Sequence, residues 1–232
     1  MSGGAPGGLA ELEREIITCR RCPRLVAWRE EVARNKRAAF ASESYWGRPI
    51  PGFGDPSATV VVLGLAPAAH GGNRTGRIFT GDRSGDWLFA SLHRQGFANQ
   101  ATSIRRDDGL SLTGCWVTAA VRCAPPANKP TPAERDTCLP YAVRELKLLG
   151  NARVIVCLGA FAWDAALRIL SALERAVVRP RPKFGHGAEV SIGRFTLLGC
   201  YHPSQQNTFT GKLTEAMIDD VLGRARQLGG AR

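Results

Sequence analysis

The sequence predicts an α/β protein whose parallel β-sheet is covered by helices on both faces. Three runs rich in valine and isoleucine, at 59–64, 116–122 and 153–158, alternate with helix-forming stretches. Such runs are typical of parallel strands buried on both faces, and strand–helix alternation is typical of layered α/β domains. The chain of 232 residues is long enough for one such domain. We therefore expect a single domain over 9–232, preceded by a glycine-rich, flexible N-terminus at 1–8.

Helix signals surround these strands. Apolar residues at helical spacing predict a short helix from Leu9 to Ile17. Residues 131–134, Thr-Pro-Ala-Glu, form a capping box with proline at the first helical position, although Pro140 is expected to kink or split the helix that follows. The other predicted elements are an irregular segment over 34–56, a helix over 84–95, a helix over 160–174, a hairpin through Gly193, and a final helix over 213–228.

The charge balance favours a polyanionic partner. Lysine and arginine number 31 against 20 acidic residues, for a net charge of +11. Each phosphate that a cationic side chain neutralises releases condensed counterions, so nucleic acid is the partner that such a surface suits best; a merely basic, soluble surface is the alternative. No membrane-spanning run and no signal peptide are evident, so we expect a cytoplasmic protein without a membrane partner, and a monomer.

Three loops that follow predicted strands should meet in one cleft, because ligands of parallel sheets bind beyond the carboxyl ends of the strands. They follow the first strand, Arg122 and Cys200. The first loop reads GLAPAAHGGNRTGRIFTGD over 64–82 and contains neither a P-loop nor a G-x-G-x-x-G motif. H-E-x-x-H and G-x-S-x-G are absent from the sequence as well. Nucleotide hydrolysis, dinucleotide redox chemistry and serine hydrolysis therefore lack their usual sequence support.

Four of the seven cysteines form two pairs that suit a metal or cluster site. Cys19 and Cys22 are a C-x-x-C pair, and Cys123 and Cys138 form a second pair much later in the chain. Four thiolates are typical ligands of either a tetrahedral zinc ion or an iron–sulfur cluster, and spacing alone leaves both open. The remaining three, which lie in apolar strand-like runs, are expected to be buried core residues: Cys115, Cys157 and Cys200.

Several motifs in order resemble the uracil-DNA glycosylase superfamily, most closely its family 5, a broad-specificity branch that carries an iron–sulfur cluster. They are GLAPA after the first strand, FTGD at the end of the same loop, HPSQQN after the last strand, and the four paired cysteines. The resemblance implies a three-layer α/β/α sandwich around a four-stranded parallel sheet. It also implies a [4Fe–4S] cluster on these cysteines, and hydrolysis of the N-glycosidic bond of uracil in double- and single-stranded DNA, which starts base excision repair.

The resemblance also implies roles for the first loop and for the histidine of HPSQQN. His202 would donate a hydrogen bond to the base O2 and so stabilise the departing uracil anion. Phe79 would stack on the base after it leaves the helix. The backbone and small side chains around them would form the pocket wall, which assigns substrate binding to Gly64, Ala66 and Ala68. A histidine bonded within its own turn and a phenylalanine of the core are the structural alternatives.

The chain departs from its relatives at three positions that are polar elsewhere in the superfamily. The first motif carries Leu65 and Ala66 in place of Glu, Gln or Asp, and Ala119 stands where relatives have an asparagine that reads the uracil edge. The loop therefore supplies backbone amides and no side-chain base. Loss of the asparagine predicts a tolerant pocket that accepts other deaminated bases, hypoxanthine especially.

Other polar residues must then act on the sugar and the attacking water. Asp82, which ends FTGD, is the candidate for polarising water or stabilising the sugar cation, although it equally suits the N-cap of the next helix. Asn128 is a candidate for contact with the base or the water, and Asn207 is a second candidate for substrate binding. Asparagines in such loops are commonly turn formers, which is the alternative for both.

Contacts to DNA are expected from basic loop residues and from the HPSQQN segment. Gln206 occupies the place of an apolar wedge in some relatives, and Phe209 is a substitute wedge or, alternatively, a core or hairpin residue. The candidate phosphate contacts are Arg74, Arg77, Arg179, Arg181 and Lys183. Two other functions stay open: a non-catalytic protein that binds uracil in DNA, and a cluster-bearing enzyme that hydrolyses free nucleosides or nucleotides.

Overall fold

The computed structural model describes residues 6–174 and 179–230. The α-helices of these residues are α1 (Pro6–Ile17), α2 (Pro23–Arg34), α3 (Gly72–Thr75), α4 (Arg83–Arg94), α5 (Pro132–Leu148), α6 (Ala160–Glu174), α7 (Gln205–Phe209) and α8 (Glu215–Gly229). The β-strands are β1 (Phe53–Gly54), β2 (Val60–Gly64), β3 (Cys115–Ala119), β4 (Val154–Leu158), β5 (Glu189–Ile192) and β6 (Phe195–Cys200). Short 3₁₀ helices cover Ala38–Phe40 and Pro126–Asn128.

One mixed sheet forms the centre of the fold, with the strand order β1-β3-β2-β4-β6-β5. β3, β2, β4 and β6 are parallel neighbours, which confirms the predicted four-stranded parallel sheet. The sheet is wider than predicted, because the antiparallel strands β1 and β5 lie at its two edges. β5 and β6 are the predicted hairpin through Gly193, whereas β1 has only two residues and is too short to leave a periodic pattern.

Side chains of the central strands point alternately into two helical layers. In β2, Val60 and Val62 pack in the same core as α4 and α8, while Val61 and Leu63 pack in the core that holds α5 and α6. Fully burying each such side chain contributes roughly 1.5–3 kcal/mol, so both faces stabilise the sheet. The fold is therefore the three-layer α/β/α sandwich that the sequence predicts.

α5 begins as predicted and continues through Pro140. The Thr131 hydroxyl accepts a hydrogen bond from the Glu134 amide, and the Glu134 carboxylate accepts one from the Thr131 amide. Of the expected kink or split at Pro140, the split is wrong, because one helix runs from Pro132 to Leu148. Proline cannot donate to the carbonyl of Asp136, but both residues are exposed, so water can bond that carbonyl.

α2 is absent from the sequence prediction, although a proline just after a C-x-x-C pair is a typical helix start. Cys22 is its N-cap residue and Pro23 its first residue. The helix buries Leu25, Val32 and the charged Arg29 on one side. It therefore carries one cysteine and one arginine of the cysteine cavity described below.

The N-terminus differs in part from the prediction of a flexible segment over 1–8. Residues 6–8 are the first residues of α1, and residues 1–5 lie outside the described residues. Across 6–174 and 179–230, no helix combines the length and the apolar character that crossing a membrane requires.

Candidate active site

The loops after β2, β3 and β6 meet in one cavity of about 480 Å³ beyond the carboxyl ends of the parallel strands. This is the position at which open α/β sheets bind ligands. The cavity is lined by Leu65, Ala66, Ala68, Ile78, Phe79, Asp82, Arg83, Ser84, Asn128, His202, Ser204, Gln205 and Gln206. The structure thus brings together most of the candidate residues predicted from the sequence.

Phe79 and His202 face one another in this cavity. Their ring centroids are 6.0 Å apart and their planes are tilted by 37°. Phe79 has a φ of 53°, a left-handed conformation that is strained for an aromatic residue. A Cβ added at Gly64 would lie 2.6 Å from the Phe79 ring. The Phe79 ring therefore leaves room only for glycine at position 64, the last residue of β2. Burial lowers the pKa of His202 to about 4, and the imidazole is therefore neutral near pH 7.

Asp82 is the helix cap that one of its two interpretations predicts, and it also lines the cavity, while its action on the water or the sugar stays a prediction. One carboxylate oxygen accepts a hydrogen bond from the Gly85 amide at 3.0 Å, which makes Asp82 the N-cap of α4. The carboxylate also lines the cavity, and a Cβ at Gly71 would overlap its other oxygen. Burial raises the pKa of Asp82, against the opposing effect of the Gly85 and Ser84 amides. The helix cap therefore fixes a buried carboxylate at the cavity.

Asn128 is held at the cavity by an unusual backbone turn. Ala127 and Asn128 have φ values of 52° and 55° within the short 3₁₀ helix. Consecutive left-handed residues other than glycine are strained, and such strain concentrates at functional sites. The side chain of Asn128 is exposed at the cavity. Its position suits a contact with a ligand that enters from solvent.

Asn207 supports the cavity from behind and does not line it. Its side-chain Nδ2 donates a hydrogen bond of 2.9 Å to the carbonyl of His202. Its backbone amide donates a hydrogen bond of 3.3 Å to the hydroxyl of Ser204, which is the N-cap of α7. The Asn207 side chain therefore holds the turn that carries His202, and its contact with substrate stays a prediction that the cavity lining does not support.

Arg74 and Arg77 are internal residues, which corrects the prediction that they contact phosphates. The Arg74 side chain is 9% exposed, pairs with Glu43, and donates to the carbonyls of His70 and Gly81. The Arg77 side chain is 6% exposed and pairs with Asp108 at 2.7 Å. Both guanidinium groups hold the first loop in place, and neither is accessible to a DNA backbone.

The remaining predicted DNA contacts lie on the surface. Gln206 is exposed and lines the cavity from α7. Lys183 is exposed in the loop before β5, where the neighbouring Phe184 ring lies 6.2 Å from the Tyr201 ring, next to His202. Arg181 pairs with Asp164 instead.

Arg83 is a cavity residue that the sequence analysis missed, and Phe209, predicted there as a substitute wedge, lies against it. Arg83 lines the cavity and stacks its guanidinium 4.2 Å above the ring of Phe209. Phe209 is 62% exposed, so its alternative interpretation as a core residue is wrong. Its place three residues after Gln206 on α7 is the signal that sequence analysis could have used, since the two lie on one face of that helix.

The four paired cysteines line a second, smaller cavity between α1, α2, α5 and the segment after β3. Cys19 and Cys138 pack against the apolar cluster of α1, whereas Cys22 and Cys123 pack against the one formed by Leu25 and Val121. Burial raises the pKa of Cys123 to about 11 and that of Cys138 to about 12. The other three cysteines are buried, as predicted: Cys115, Cys157 and Cys200.

Two buried arginines supply positive charge to the cysteine cavity. Arg29 donates from Nη1 to the Cys123 sulfur at 2.9 Å, and Arg122 pairs with Glu145 at 2.6 Å. Among the described residues, the Nε atoms of both arginines are buried without a hydrogen-bond partner. Such orphaned donors next to thiols suit an anionic group with further acceptors, as the sulfides of an iron–sulfur cluster would provide.

The spacing of the cysteines differs from that of a single-ion site. Over the part of the chain that the structure describes, no three His, Cys, Asp or Glu side chains are grouped so that they could hold a metal ion. A zinc ion draws its thiolates to about 2.3 Å from one centre. The four thiols line one cavity, the Arg29 guanidinium donates to one of them, and these residues are compatible with a bound cluster.

Comparison with known proteins agrees with the fold and the motifs. The sequence profile of the Uracil DNA glycosylase superfamily matches residues 51–226. The chain belongs to the uracil-DNA glycosylase superfamily. Within that superfamily it is 55% identical over 232 residues to the type-5 uracil-DNA glycosylase of Mycobacterium bovis, covering 99% of this chain and 85% of the relative. The resemblance inferred from the motifs is therefore confirmed.

Two further relatives carry the same name. The type-5 uracil-DNA glycosylase of Mycobacterium leprae is 53% identical over 234 residues, 99% of either chain. That of Thermus thermophilus is 50% identical over 216 residues, which cover 93% of this chain and 95% of the relative. The span matched by the superfamily profile contains the whole cavity lining and begins after Cys19 and Cys22. The N-terminal cysteine pair thus lies outside the superfamily's matched span.

Proposed function

We propose that this protein is a monofunctional DNA glycosylase that hydrolyses the N-glycosidic bond of uracil in DNA and so starts base excision repair. The observation that carries the proposal is the meeting of Phe79, Asp82 and His202 in one cavity at the carboxyl edge of the sheet. The printed name of the relatives at 50% and 55% identity, type-5 uracil-DNA glycosylase, supports uracil as the base and hydrolysis as the reaction.

His202 and Asp82 would stabilise the two charges that separate when the glycosidic bond breaks. Negative charge develops on the departing uracil and positive charge on the deoxyribose. The neutral imidazole of His202 donates a hydrogen bond to the base O2, where the negative charge grows. The Asp82 carboxylate stabilises the sugar cation and orients the attacking water. Both groups are fixed before the substrate arrives, Asp82 by its cap on α4.

The substrate base must leave the stack to reach this cavity. Extrusion of the nucleotide costs a few kcal/mol, which stacking inside the pocket offsets. Phe79 would stack on the extruded base, and Gly64, Ala66 and Ala68 would allow close approach of the backbone. Asn128, on its strained turn, would contact the base or the water. Gln206 and the exposed Phe209 on α7 lie where they would meet the DNA next to the vacated site.

The DNA partner is double- or single-stranded and carries deaminated bases. The net charge of +11 supports a polyanionic partner. One lesion needs one site, so we propose a monomer as the working unit. Lys183 remains a candidate phosphate contact, since it is exposed in a loop beside the strand end that carries His202.

The pocket should tolerate hypoxanthine as well as uracil. Leu65 and Ala66 offer the base no polar side chain, and Ala119 at the end of β3 is buried and apolar. Without the asparagine that reads the uracil edge in relatives, discrimination rests mainly on shape, on His202 and on any contact from Asn128, and shape alone rejects a related base by only about 10–200-fold. We expect release of hypoxanthine from DNA within this range of the uracil rate.

A single-turnover assay on duplex DNA with one uracil opposite guanine tests the function, with a hypoxanthine duplex in parallel. Strand cleavage at the uracil only after hot alkali is the expected result for a monofunctional glycosylase. Intact DNA that is nevertheless tightly bound would indicate the non-catalytic binding protein instead. Release of base from free nucleosides without competition by duplex DNA would indicate the nucleoside hydrolase. Complete refusal of hypoxanthine by an active enzyme would contradict the tolerant pocket.

We further propose that Cys19, Cys22, Cys123 and Cys138 hold a [4Fe–4S] cluster with a structural role. When bound, the cluster supplies a cross-link between the N-terminal segment and the helices and loops that carry the other thiols. Arg29, whose guanidinium already donates to Cys123, would offset its negative charge. The cross-link would also steady the segment between Cys123 and Cys138, which includes Asn128.

Replacing Cys19 with serine should lower iron content, stability and DNA affinity together. Protein purified without oxygen should hold about four irons and four sulfides per chain, and the variant should hold markedly less. Its melting temperature should fall, because the cross-link is lost. Cys157→Ala is the matched control, since that thiol is buried in the core away from the cavity. Loss of iron with an unchanged melting temperature would contradict the structural role.

A further inference from the structure

A large apolar side chain is exposed on the loop between α4 and β3, whose backbone contacts Gly81, the residue before Asp82 of the cavity. Ile104 is 63% exposed. Among the large hydrophobic residues that the structure describes, only Phe209 is exposed as well. The carbonyl of Ile104 lies 3.2 Å from where a Cβ on Gly81 would be, and Phe209 packs beneath Arg83. The two exposed apolar residues therefore contact the residues on either side of Asp82 in the chain. Ile104 lies against Gly81, and Phe209 lies against Arg83.

The turn that presents Ile104 is held rigidly from inside. The Asp108 carboxylate accepts hydrogen bonds from the amides of Ile104 at 2.8 Å and of Arg105 at 3.2 Å. The buried guanidinium of Arg77 pairs with the same carboxylate, and the Gly81 amide donates to the carbonyl of Ser103 at 2.8 Å. The turn is thereby tied to the first loop. Ile104 is consequently exposed on a rigid turn. A side chain on a mobile loop would lose more conformational entropy when it binds.

The charges around Ile104 suit the DNA backbone. Arg105 and Arg106 follow it directly, and their side chains are 70% and 46% exposed. Their partners, Asp107 and Glu13, are themselves exposed, and surface pairs of this kind contribute little and are readily exchanged. A cationic rim around an apolar tip is the combination that proteins use to unstack a base step while holding the phosphates.

We propose that Ile104 is a DNA wedge that inserts between bases beside the extrahelical nucleotide. The inference rests on the proposed function, and it adds a second contact from a loop other than α7. Insertion of an apolar side chain compensates part of the lost stacking, so Ile104 favours the state in which the damaged nucleotide has left a duplex. In single-stranded DNA there is little stacking to replace, and Ile104 contributes little there.

Replacing Ile104 with alanine should separate duplex from single-stranded substrates. We expect the single-turnover rate constant at subsaturating enzyme to fall about tenfold on duplex uracil, in line with loss of a wedge, and to change less than about twofold on single-stranded uracil. Ile17→Ala is the matched control, because it makes the same deletion on α1, outside the cavity lining. Ile104→Leu keeps the apolar tip and should retain the duplex rate.

A binding measurement checks the wedge without the reaction. The duplex carries 2-aminopurine beside 2′-fluoro-deoxyuridine, whose fluorine slows cleavage. The wild type should raise the 2-aminopurine fluorescence as the step unstacks, and Ile104→Ala should reduce that rise. Equal losses on both substrates, or an unchanged duplex rate and fluorescence, would overturn the proposal. Failure of the wild type to release uracil from either substrate would instead reject the proposed function, and the fluorescence would still report on Ile104.

Discussion

Replacing His202 with alanine is expected to slow the release of uracil from DNA by about 10²–10³-fold, the usual cost of removing one donor from a charge-stabilising site. The side chain lies in the cavity opposite Phe79, and burial keeps its imidazole neutral near pH 7. In the proposed mechanism a neutral imidazole would act by hydrogen bonding to the leaving base, and not by giving it a proton. Single-turnover kinetics on duplex uracil measure the effect, with DNA binding measured separately.

His93→Ala is the matched control, because this histidine is exposed in the last turn of α4. Its rate should equal that of the wild type. A His202→Ala enzyme with an unaltered rate would show that the imidazole does not act on the base. The wild-type rate should also show no titration of His202 between pH 6 and 8, since the pKa of about 4 lies well below this interval.

The burial of His202 should also lower the stability of the protein in acid. His202 has a pKa of about 4 in the folded protein and an ordinary value of 6.5, so between these pH values the unfolded chain binds the proton more readily. The wild type should therefore lose stability as the pH falls from 6.5 to 4, by at most about 3 kcal/mol from this residue. Chemical denaturation at both pH values should show a smaller loss for His202→Ala.

Replacing Asp82 with asparagine should slow uracil release by about 10²–10⁴-fold without destabilising the protein. Asparagine is as good an N-cap as aspartate, so the bond from the Gly85 amide persists in the variant. The negative charge that would stabilise the sugar cation is lost. Because burial raises the pKa of Asp82, removing the charge should leave the free energy of unfolding at pH 7 unchanged or increase it.

Two further variants separate the cap of Asp82 from its charge. Asp82→Ala loses both, and its free energy of unfolding should fall by about 1 kcal/mol relative to Asp82→Asn. Asp86→Asn removes an exposed carboxylate from the first turn of the same helix and should leave the rate unaltered. If Asp82→Asn releases uracil at the wild-type rate, Asp82 is a helix cap alone, and the water must be oriented by another group such as Asn128.

The layered fold and the position of the cavity follow from local signals in the sequence. Valine-rich runs such as 59–64 form buried parallel strands, and Thr131 with Glu134 starts α5 as a capping box does. These signals are readable because hydrophobic periodicity and helix caps act between residues close in the chain. Since parallel strands end at one edge, the loops that follow them had to meet, which brings Asp82 and His202 together.

Only the tertiary structure decided which polar and apolar side chains face outward. Arg77 is basic and lies in a loop, yet it is buried because Asp108 meets it from a distant turn. Phe209 and Ile104 are apolar, yet they are exposed. The physical reason is that burial of a side chain depends on partners that folding brings from elsewhere. The sequence by itself determined the layers, the cleft and the four cysteines, and long-range packing determined which side chains are free to meet DNA.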